Sequence, residues 1–350
     1  RGSAMKVSLE VHGLHGQSHT RGIGVYAKEL LKSLQKLFPQ DHFYSTTNEY
    51  VADHPDLIHY PFFDPFFLTL RLDHKVPTIV TIHDLIPLKF PLHFKPGLKG
   101  QLKWLIQSSR AKHATHIITD SECSKRDIVE ILGFTPSSVS VIPLGPSMAS
   151  IVPKRLATQI RKDYHLPAKY LLYVGDINWN KNVVGLIECF NHLADPSYSL
   201  VLVGKVFTDK PDIEEYHSIA NAISHSPKAK QILPLGYIPN HQLGAIYAGA
   251  TLYIQPSFYE GFGLPVLEAM KFGCPVATSN LGSLGEIGGD AVAYFDPDTS
   301  MVKVIDTLLE SPLERARLRD LGFLRAKQFS WAKTAQLTHA VYEKILSLHT

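Results

Sequence analysis

The sequence predicts an α/β protein built on two doubly wound parallel sheets with helices on both faces. Three observations carry this expectation. Short apolar runs alternate with helical patterns from end to end, as in strand–helix–strand units. The alternation breaks at Pro143-Leu-Gly-Pro-Ser-Met148, passes through a polar stretch to Ala168 and restarts at Tyr170-Leu-Leu-Tyr-Val-Gly175. The chain of 350 residues is long enough for two domains.

In the first part, strands are expected at Val7–Val11, Leu57–Tyr60, Thr78–Ile82, His116–Thr119 and Ser138–Pro143, with helices at Val25–Lys36, Leu98–Ala111 and Ser124–Leu132. The second part places strands at Tyr170–Gly175, Leu200–Val203, Gln231–Leu233, Leu252–Gln255 and Pro275–Ala277. A helix follows from Val266 to Phe272, and Phe329 through Leu348 form a last one. The boundaries read as 1–150 and 151–330, with 331–350 as a separate helix. Sheets of this kind bind ligands at the carboxyl ends of their strands, where the notable residues fall.

Hydrophobic content of 45% and charged content of 19% describe an ordinary globular chain. No apolar run approaches the roughly 20 residues that span a bilayer, and no signal peptide is visible. Arg1-Gly-Ser-Ala-Met5 reads as a cloning remnant. Cys123, Cys189 and Cys274 lack metal-ligand spacing, which points to a reducing cytoplasm and thiols that simply pack. The net charge of +3 sits in the first part, where residues 1–150 hold 16 Lys/Arg against 13 Asp/Glu. No nucleic-acid partner is expected. Between Asp84 and Asp120 no acid occurs, yet Lys89, Lys95, Lys99, Lys103, Arg110 and Lys112 do, interleaved with Leu98, Leu102, Trp104 and Leu105. This basic 89–112 segment has two readings: a solvated helix with its apolar stripe turned inward, or a surface meeting anionic lipid or a lipid diphosphate. Phe62, Phe63, Phe66 and Phe67 are a companion patch or core.

The richest stretch is Pro256-Ser-Phe-Tyr-Glu-Gly-Phe-Gly-Leu-Pro-Val-Leu-Glu-Ala-Met270. Gly261 and Gly263 allow a tight backbone path with amides free to face a ligand. Pro265 suits the first turn of a helix, whose N-terminus is a seat for a diphosphate. Glu268 falls about one turn in, where a carboxylate can accept from two ribose hydroxyls. Any strand–turn–helix unit can carry such glycines and an acid, so spacing alone leaves a structural role equally open. Tyr173-Val-Gly-Asp-Ile-Asn-Trp-Asn-Lys-Asn182 ends a strand and opens a helix, and Lys181 can neutralise a diphosphate. Thr81-Ile-His-Asp-Leu-Ile-Pro87 puts His83 at a strand end, able to donate to a sugar hydroxyl or phosphate, or else bonded to backbone. Asp84 reads as a turn cap, and Ser121 and Glu122 as helix capping, with Lys125 and Arg126 as acceptor-side charges.

Arg21-Gly-Ile-Gly-Val-Tyr26 imitates a dinucleotide fingerprint at Gly22 and Gly24, but lies about ten residues beyond its strand, whereas that fingerprint needs an immediate turn. It supports only weakly an NAD-dependent oxidoreductase. His12, His15 and His19 invite a metal reading that no carboxylate or cysteine completes, so no metal is expected.

Together these strings, running from about residue 20 to 331, resemble the family 4 retaining glycosyltransferases, most of all bacterial mannosyltransferases of surface-polysaccharide assembly. The resemblance implies the GT-B fold: two Rossmann-like domains facing across a cleft, with the C-terminal helix crossing back to the N-terminal domain. It implies acceptor binding by 1–150 and nucleotide-sugar binding by 151–330. It assigns catalytic roles to His83, Lys181 and Glu260, and donor contacts to Gly22, Gly24, Lys181, Lys205, Tyr237, Ile238, Glu260, Gly261, Phe262, Gly263, Leu264 and Glu268. Glu268 would hold the ribose and the backbone near Tyr237 the base. The chain departs from the family where Asn180 replaces an arginine and where Asp176 follows the glycine, so Lys205 is the candidate substitute phosphate contact. The expected reaction needs no cofactor beyond a GDP- or UDP-linked sugar and delivers a hexose, first of all mannose, to a saccharide or lipid-linked acceptor. It would run in the cytoplasm or at the inner face of the membrane. A nucleotide-sugar epimerase of the same fold is the alternative.

Overall fold

The computed structural model describes residues 4–11, 22–46, 54–71, 76–146 and 152–349. The chain divides into two compact units, residues 1–145 with 329–350 and residues 146–328. Each is built on its own six-stranded parallel sheet.

In the first unit β1 (Lys6–Glu10) is followed by α1 (Gly22–Leu37), β2 (His42–Thr46), β3 (Leu57–Tyr60), β4 (Thr78–Thr81), α2 (Ile86–Lys89), α3 (Gly97–Ala111), β5 (His116–Thr119), α4 (Glu122–Leu132) and β6 (Val139–Val141). The spatial order is β2-β1-β3-β4-β5-β6. Strands covered on both faces are mostly apolar, and β3 and β5, buried throughout, were legible for that reason. α1 turns Tyr26, Ala27, Leu30 and Leu34 to the core at helical spacing. It begins earlier than Val25, so Gly22 and Gly24 lie in its first turn and not in a preceding loop. The helix penalty of a glycine, about 1 kcal/mol, is small beside the packing of that face. The histidines at 12, 15 and 19 lie outside the described residues.

Two readings are settled around α3. Its buried residues are Gly100, Gln107 and Ala111, whereas Leu98, Leu102 and Leu105 are 86%, 61% and 64% exposed. The leucine stripe therefore faces outward, contrary to the inward reading. The aromatic run divides, with Phe63 in the core and Phe67 exposed.

The second unit runs α5 (Lys154–Asp163), β7 (Tyr170–Val174), α6 (Val183–His192), β8 (Ser199–Val203), α7 (Val206–Asp209), α8 (Glu214–Ser224), β9 (Ile232–Leu235), α9 (Asn240–Gly249), β10 (Leu252–Gln255), α10 (Leu264–Lys271), β11 (Val276–Ser279), α11 (Leu284–Gly288), β12 (Ala293–Phe295), α12 (Met301–Glu310) and α13 (Pro312–Ala326). Its order is β12-β11-β10-β7-β8-β9. The chain thus steps outward from β7 in one direction, returns, and steps outward from β10 in the other. α5 occupies part of the stretch expected to be only a polar bridge; a single buried side chain, Ile160, gave it little apolar signal. The three cysteines are buried free thiols.

The last helix, α14 (Trp331–Ser347), belongs to the first unit. Thr334 Oγ1 donates to the Pro143 carbonyl at 2.7 Å, and Tyr342 Oη meets His59 Nδ1 at 2.6 Å. A Cβ on Gly145 would lie 2.3 Å from the Trp331 nitrogen, so only glycine permits this approach.

Candidate active site

In the second unit, β7 and β10 are neighbours at the point where strand order reverses. Segments leaving their carboxyl ends diverge there, which opens the crevice where doubly wound sheets take ligands. Lys181 leaves β7 in a single 3-10 turn, Trp179–Lys181, and Asn182, at φ +51°, opens α6. Glu260 leaves β10. The two turns are laced together: Asn180 Nδ2 donates to the Tyr259 carbonyl at 2.9 Å, the Phe258 amide donates to the Asn180 carbonyl at 2.8 Å, and Trp179 stacks on Phe258. Asn180, where the family carries arginine, is therefore a buried strut.

Lys181 Nζ donates to both oxygens of Glu260, at 2.8 and 2.7 Å. Oε1 also accepts from Ser257 Oγ at 2.7 Å and Gln255 Nε2 at 3.0 Å. Gln255 is held in turn by the Tyr253 hydroxyl. From behind, Ser283 donates its amide and hydroxyl to the Glu260 carbonyl, at 3.1 and 3.0 Å. Gly282, at φ +65°, sits so close that a Cβ would fall 2.6 Å from the Glu260 backbone. A buried carboxylate with this many donors is a fixed group.

The turn then passes through Gly261, Phe262 and Gly263, all buried. Gly263, at φ +99°, caps α10 in the left-handed region, and Pro265 lies in the first turn. Leu264 opens the helix and is half-buried. Glu268, one turn in, is buried and accepts from Tyr247 Oη at 3.3 Å. Burial pushes its carboxyl up to about 7, against the opposing pull of Tyr247 and Lys271.

The other expected donor residues are distributed around this sheet edge. Lys205 follows β8, with Nζ 3.6 Å from Asp209 Oδ2, so it is engaged in an exposed ion pair. Asp176 Oδ1 accepts from the Ile177 amide at 2.9 Å. Between β9 and α9, Tyr237 is exposed and Ile238 buried.

In the first unit, His83 follows β4. The register pairs Thr81 with Ile118, so His83 and Asp120, each two residues on, leave adjacent strand ends side by side. Nδ1 lies 2.7 Å from Asp120 Oδ2 and Nε2 lies 3.2 Å from the Pro61 carbonyl. The Pro61 carbonyl can only accept, so Nε2 donates to it, and Nδ1 faces the Asp120 carboxyl. Burial alone would lower its pKa; the charge and hydrogen bond of Asp120, helped by Asp84 and Pro61, outweigh it and leave the pKa raised. Asp120 Oδ1 is buried and, among the described residues, has no hydrogen-bond partner. Tyr26 meets the ring edge-on at 4.7 Å and is braced by the chain Tyr26–Thr81–His59–Tyr342. As expected, Asp84 caps a turn by accepting from the Ile86 amide, and Ser121 caps α4 by accepting from the Ser124 amide. Asp120, Gln255, Ser257 and Tyr247 were not anticipated. Asp120 had one signal in the sequence, a carboxylate ending an apolar run just before a helix cap.

Comparisons with known proteins bear on both units. Residues 158–323 match the family described as Glycosyl transferases group 1, and residues 37–147 match Glycosyltransferase Family 4. The chain is 31% identical over 290 residues to the O-antigen chain mannosyltransferase B of Escherichia coli, covering 79% of this chain and 72% of that protein. It is 28% identical to the serotype-specific mannosyltransferase WbdA of the same organism, of which it spans only 35%. Among solved structures, sucrose-phosphate synthase from Thermosynechococcus elongatus superposes with a TM-score of 0.78 at 19% identity, covering 98% and 100% of the two chains. Anabaena HepE in complex with UDP and glucose gives 0.74 at 16% identity, covering 97% and 100%. The chain belongs to glycosyltransferase family 4. It is a glycosyltransferase of the GT-B fold. These relatives are transferases, and Gly22 and Gly24 open a helix; neither fact favours the epimerase or oxidoreductase alternatives.

Proposed function

We propose that this chain is a retaining mannosyltransferase that carries mannose from GDP-mannose to a saccharide or lipid-linked acceptor. The observation that carries this reading is the Lys181–Glu260 pair at the strand-order reversal, with the Gly261–Gly263 turn and Glu268 immediately after it. The mannosyl relatives, which include the MMP alpha-(1->4)-mannosyltransferase of Mycolicibacterium hassiacum, support the choice of sugar.

In this reading the unit of residues 146–328 holds the donor. The amides of Gly261 to Leu264 and the Lys181 ammonium meet the diphosphate as its negative charge grows. Glu268 accepts from the ribose hydroxyls. Glu260 Oε1 is crowded by three donors, so Oε2 is the oxygen that meets the donor sugar. Lys205 is assigned to the phosphate, and Tyr237 and Ile238 to the base. The unit containing His83 serves the acceptor, and His83 donates to a sugar or phosphate oxygen. The bond from the sugar anomeric carbon to the phosphate oxygen breaks as the bond to the acceptor oxygen forms on the same face. The acceptor proton passes to the leaving phosphate. The work is done at the inner face of the membrane, with the 89–112 segment as the contact.

A thermal-shift screen of GDP- and UDP-sugars selects the donor, since a bound ligand raises apparent stability. Incubation with that donor and an oligosaccharide acceptor then tests the reaction by NMR. The reading expects nucleotide release only when acceptor is present and an α-linked mannosyl product. Donor turnover without acceptor, or a β-linked product, contradicts it.

A further inference from the structure

We infer that the outer face of α3, together with the loop beside it, is a membrane-docking surface that inserts apolar side chains among anionic lipid headgroups. This deepens the membrane contact in the reading above and rests on it only for its biological setting, because the surface is argued from geometry and charge alone. Leu98, Leu102 and Leu105 recur at helical spacing on one side of α3, opposite the Gly100, Gln107 and Ala111 side that packs inward. A helix packed into a domain normally turns its leucines to the core; here the fully buried residues are a glycine, an alanine and a glutamine, and Trp104 packs partly buried against the core. Gln107 Nε2 donates to the Asp64 carbonyl and to Thr69 Oγ1, at 3.0 and 2.7 Å, which binds the 64–69 loop along the helix.

That loop adds two more exposed apolar groups, Phe67 at 63% and Leu68 at 46% exposure. Lys103 Nζ lies 4.9 Å from the centre of the Phe67 ring, so the loop lies along the flank of the helix. Exposed apolar groups scattered singly need no explanation, but a cluster on one small face marks a binding surface.

The charge selects the occupant. Lys95 and Lys99 are exposed beside the leucines, Lys103 borders Phe67, and the sequence from 85 to 119 contains no acid. Asp64, on the adjoining loop, is half-buried and already accepts from the Phe66 and Phe67 amides. Apolar groups rimmed by lysines, on a helix lying flat along a protein surface, match the boundary between headgroups and acyl chains of an anionic leaflet. A protein partner would need an acidic rim around an apolar socket; a bilayer supplies both over any area. Among the described residues no helix is long and apolar enough to cross a membrane, so the contact is one of lying on the surface.

The test is co-sedimentation of the full chain with vesicles of phosphatidylcholine alone and of phosphatidylcholine with one-quarter phosphatidylglycerol. We expect binding to the anionic vesicles that weakens at high salt, and little binding to the neutral ones. The triple variant Leu98→Gln, Leu102→Gln, Leu105→Gln should lower partition at least ten-fold. These side chains are exposed, so the fold should keep its Tm and its donor-induced thermal shift. The pair Lys95→Gln, Lys99→Gln should weaken binding several-fold and reduce its salt dependence. Equal partition to neutral and anionic vesicles, no partition at all, or an unchanged triple variant would overturn the proposal. So would a dimer in size-exclusion chromatography that the triple variant disperses, since the patch would then belong to a second copy. Vesicle binding by a chain that transfers no mannose would leave this surface standing and remove only the mannosyl reading.

Discussion

Glu268 is buried and His83 half-buried, and desolvation acts on them with opposite results. Glu268 has only Tyr247 and the more distant Lys271 to offset its desolvation, so its carboxyl titrates near 7. His83 has a full carboxylate at 2.7 Å, and that charge prevails over burial. Each makes a prediction. Between about pH 4.5 and 7 the folded state keeps a proton on Glu268 that the unfolded chain releases, so stability falls as pH rises through that window. A shift from 4.5 to about 7 corresponds to about 3 kcal/mol at 1.36 kcal/mol per unit. Urea denaturation at pH 5 and pH 8 should show that the Glu268→Gln variant lacks this part of the decline; parallel pH slopes for the two proteins would contradict it. For His83 stability also falls as pH rises, but for a different reason: the pair with Asp120 stabilises fully below the ordinary value of 6.5 and is lost as pH rises through the raised folded value. Asp120→Asn removes the charge that holds the proton, so NMR titration should find the His83 pKa lowered in that variant. A His83 pKa that does not move would mean that Asp120 does not set its charge.

At the scale of elements, the site depends on three turns that meet behind Glu260. The 179–182 and 256–260 turns lace through Asn180, and the 280–283 turn supports Glu260 through Ser283 and Gly282. Gly282→Ala adds a Cβ 2.6 Å from the Glu260 backbone at φ +65°, a conformation that costs L-residues about 1–3 kcal/mol. Transfer activity should fall at least ten-fold and Tm should drop by several degrees. Wild-type activity would show that Glu260 is not held by this turn. The same arrangement explains what the sequence revealed. Central strands such as β3, β5 and β10 were plain because both faces are covered and most positions are apolar. β2 and β12 were missed because polar or half-exposed positions interrupt them, which leaves less apolar signal. The residues Lys181 and Glu260 were each recognisable within their local string. Their ion pair was not, because 79 residues separate them and only the adjacency of β7 and β10 brings them together. Asn180 was read as a lost arginine; its role as a strut depends on the Tyr259 carbonyl, which no local pattern could reveal. The direction of the α3 leucines was equally hidden, since a helical stripe reads the same whether it faces core or solvent.

For the molecule as a whole, the two sheets repeat one architectural idea: a parallel sheet whose strand order reverses, with the chemistry placed where strands end. In the unit of residues 146–328 that edge carries a lysine–glutamate pair, a glycine turn and a buried glutamate one turn into α10. In the other it carries a histidine held by a carboxyl group. The central claim is that the first of these edges holds a nucleotide sugar through Glu268 and its turn. Calorimetric titration of the full chain with GDP-mannose, wild type beside Glu268→Ala, tests it directly. The account predicts saturable one-to-one binding by the wild type, weakened ten-fold or more in the variant, while the variant remains folded by circular dichroism. Equal affinity in the two proteins would contradict it.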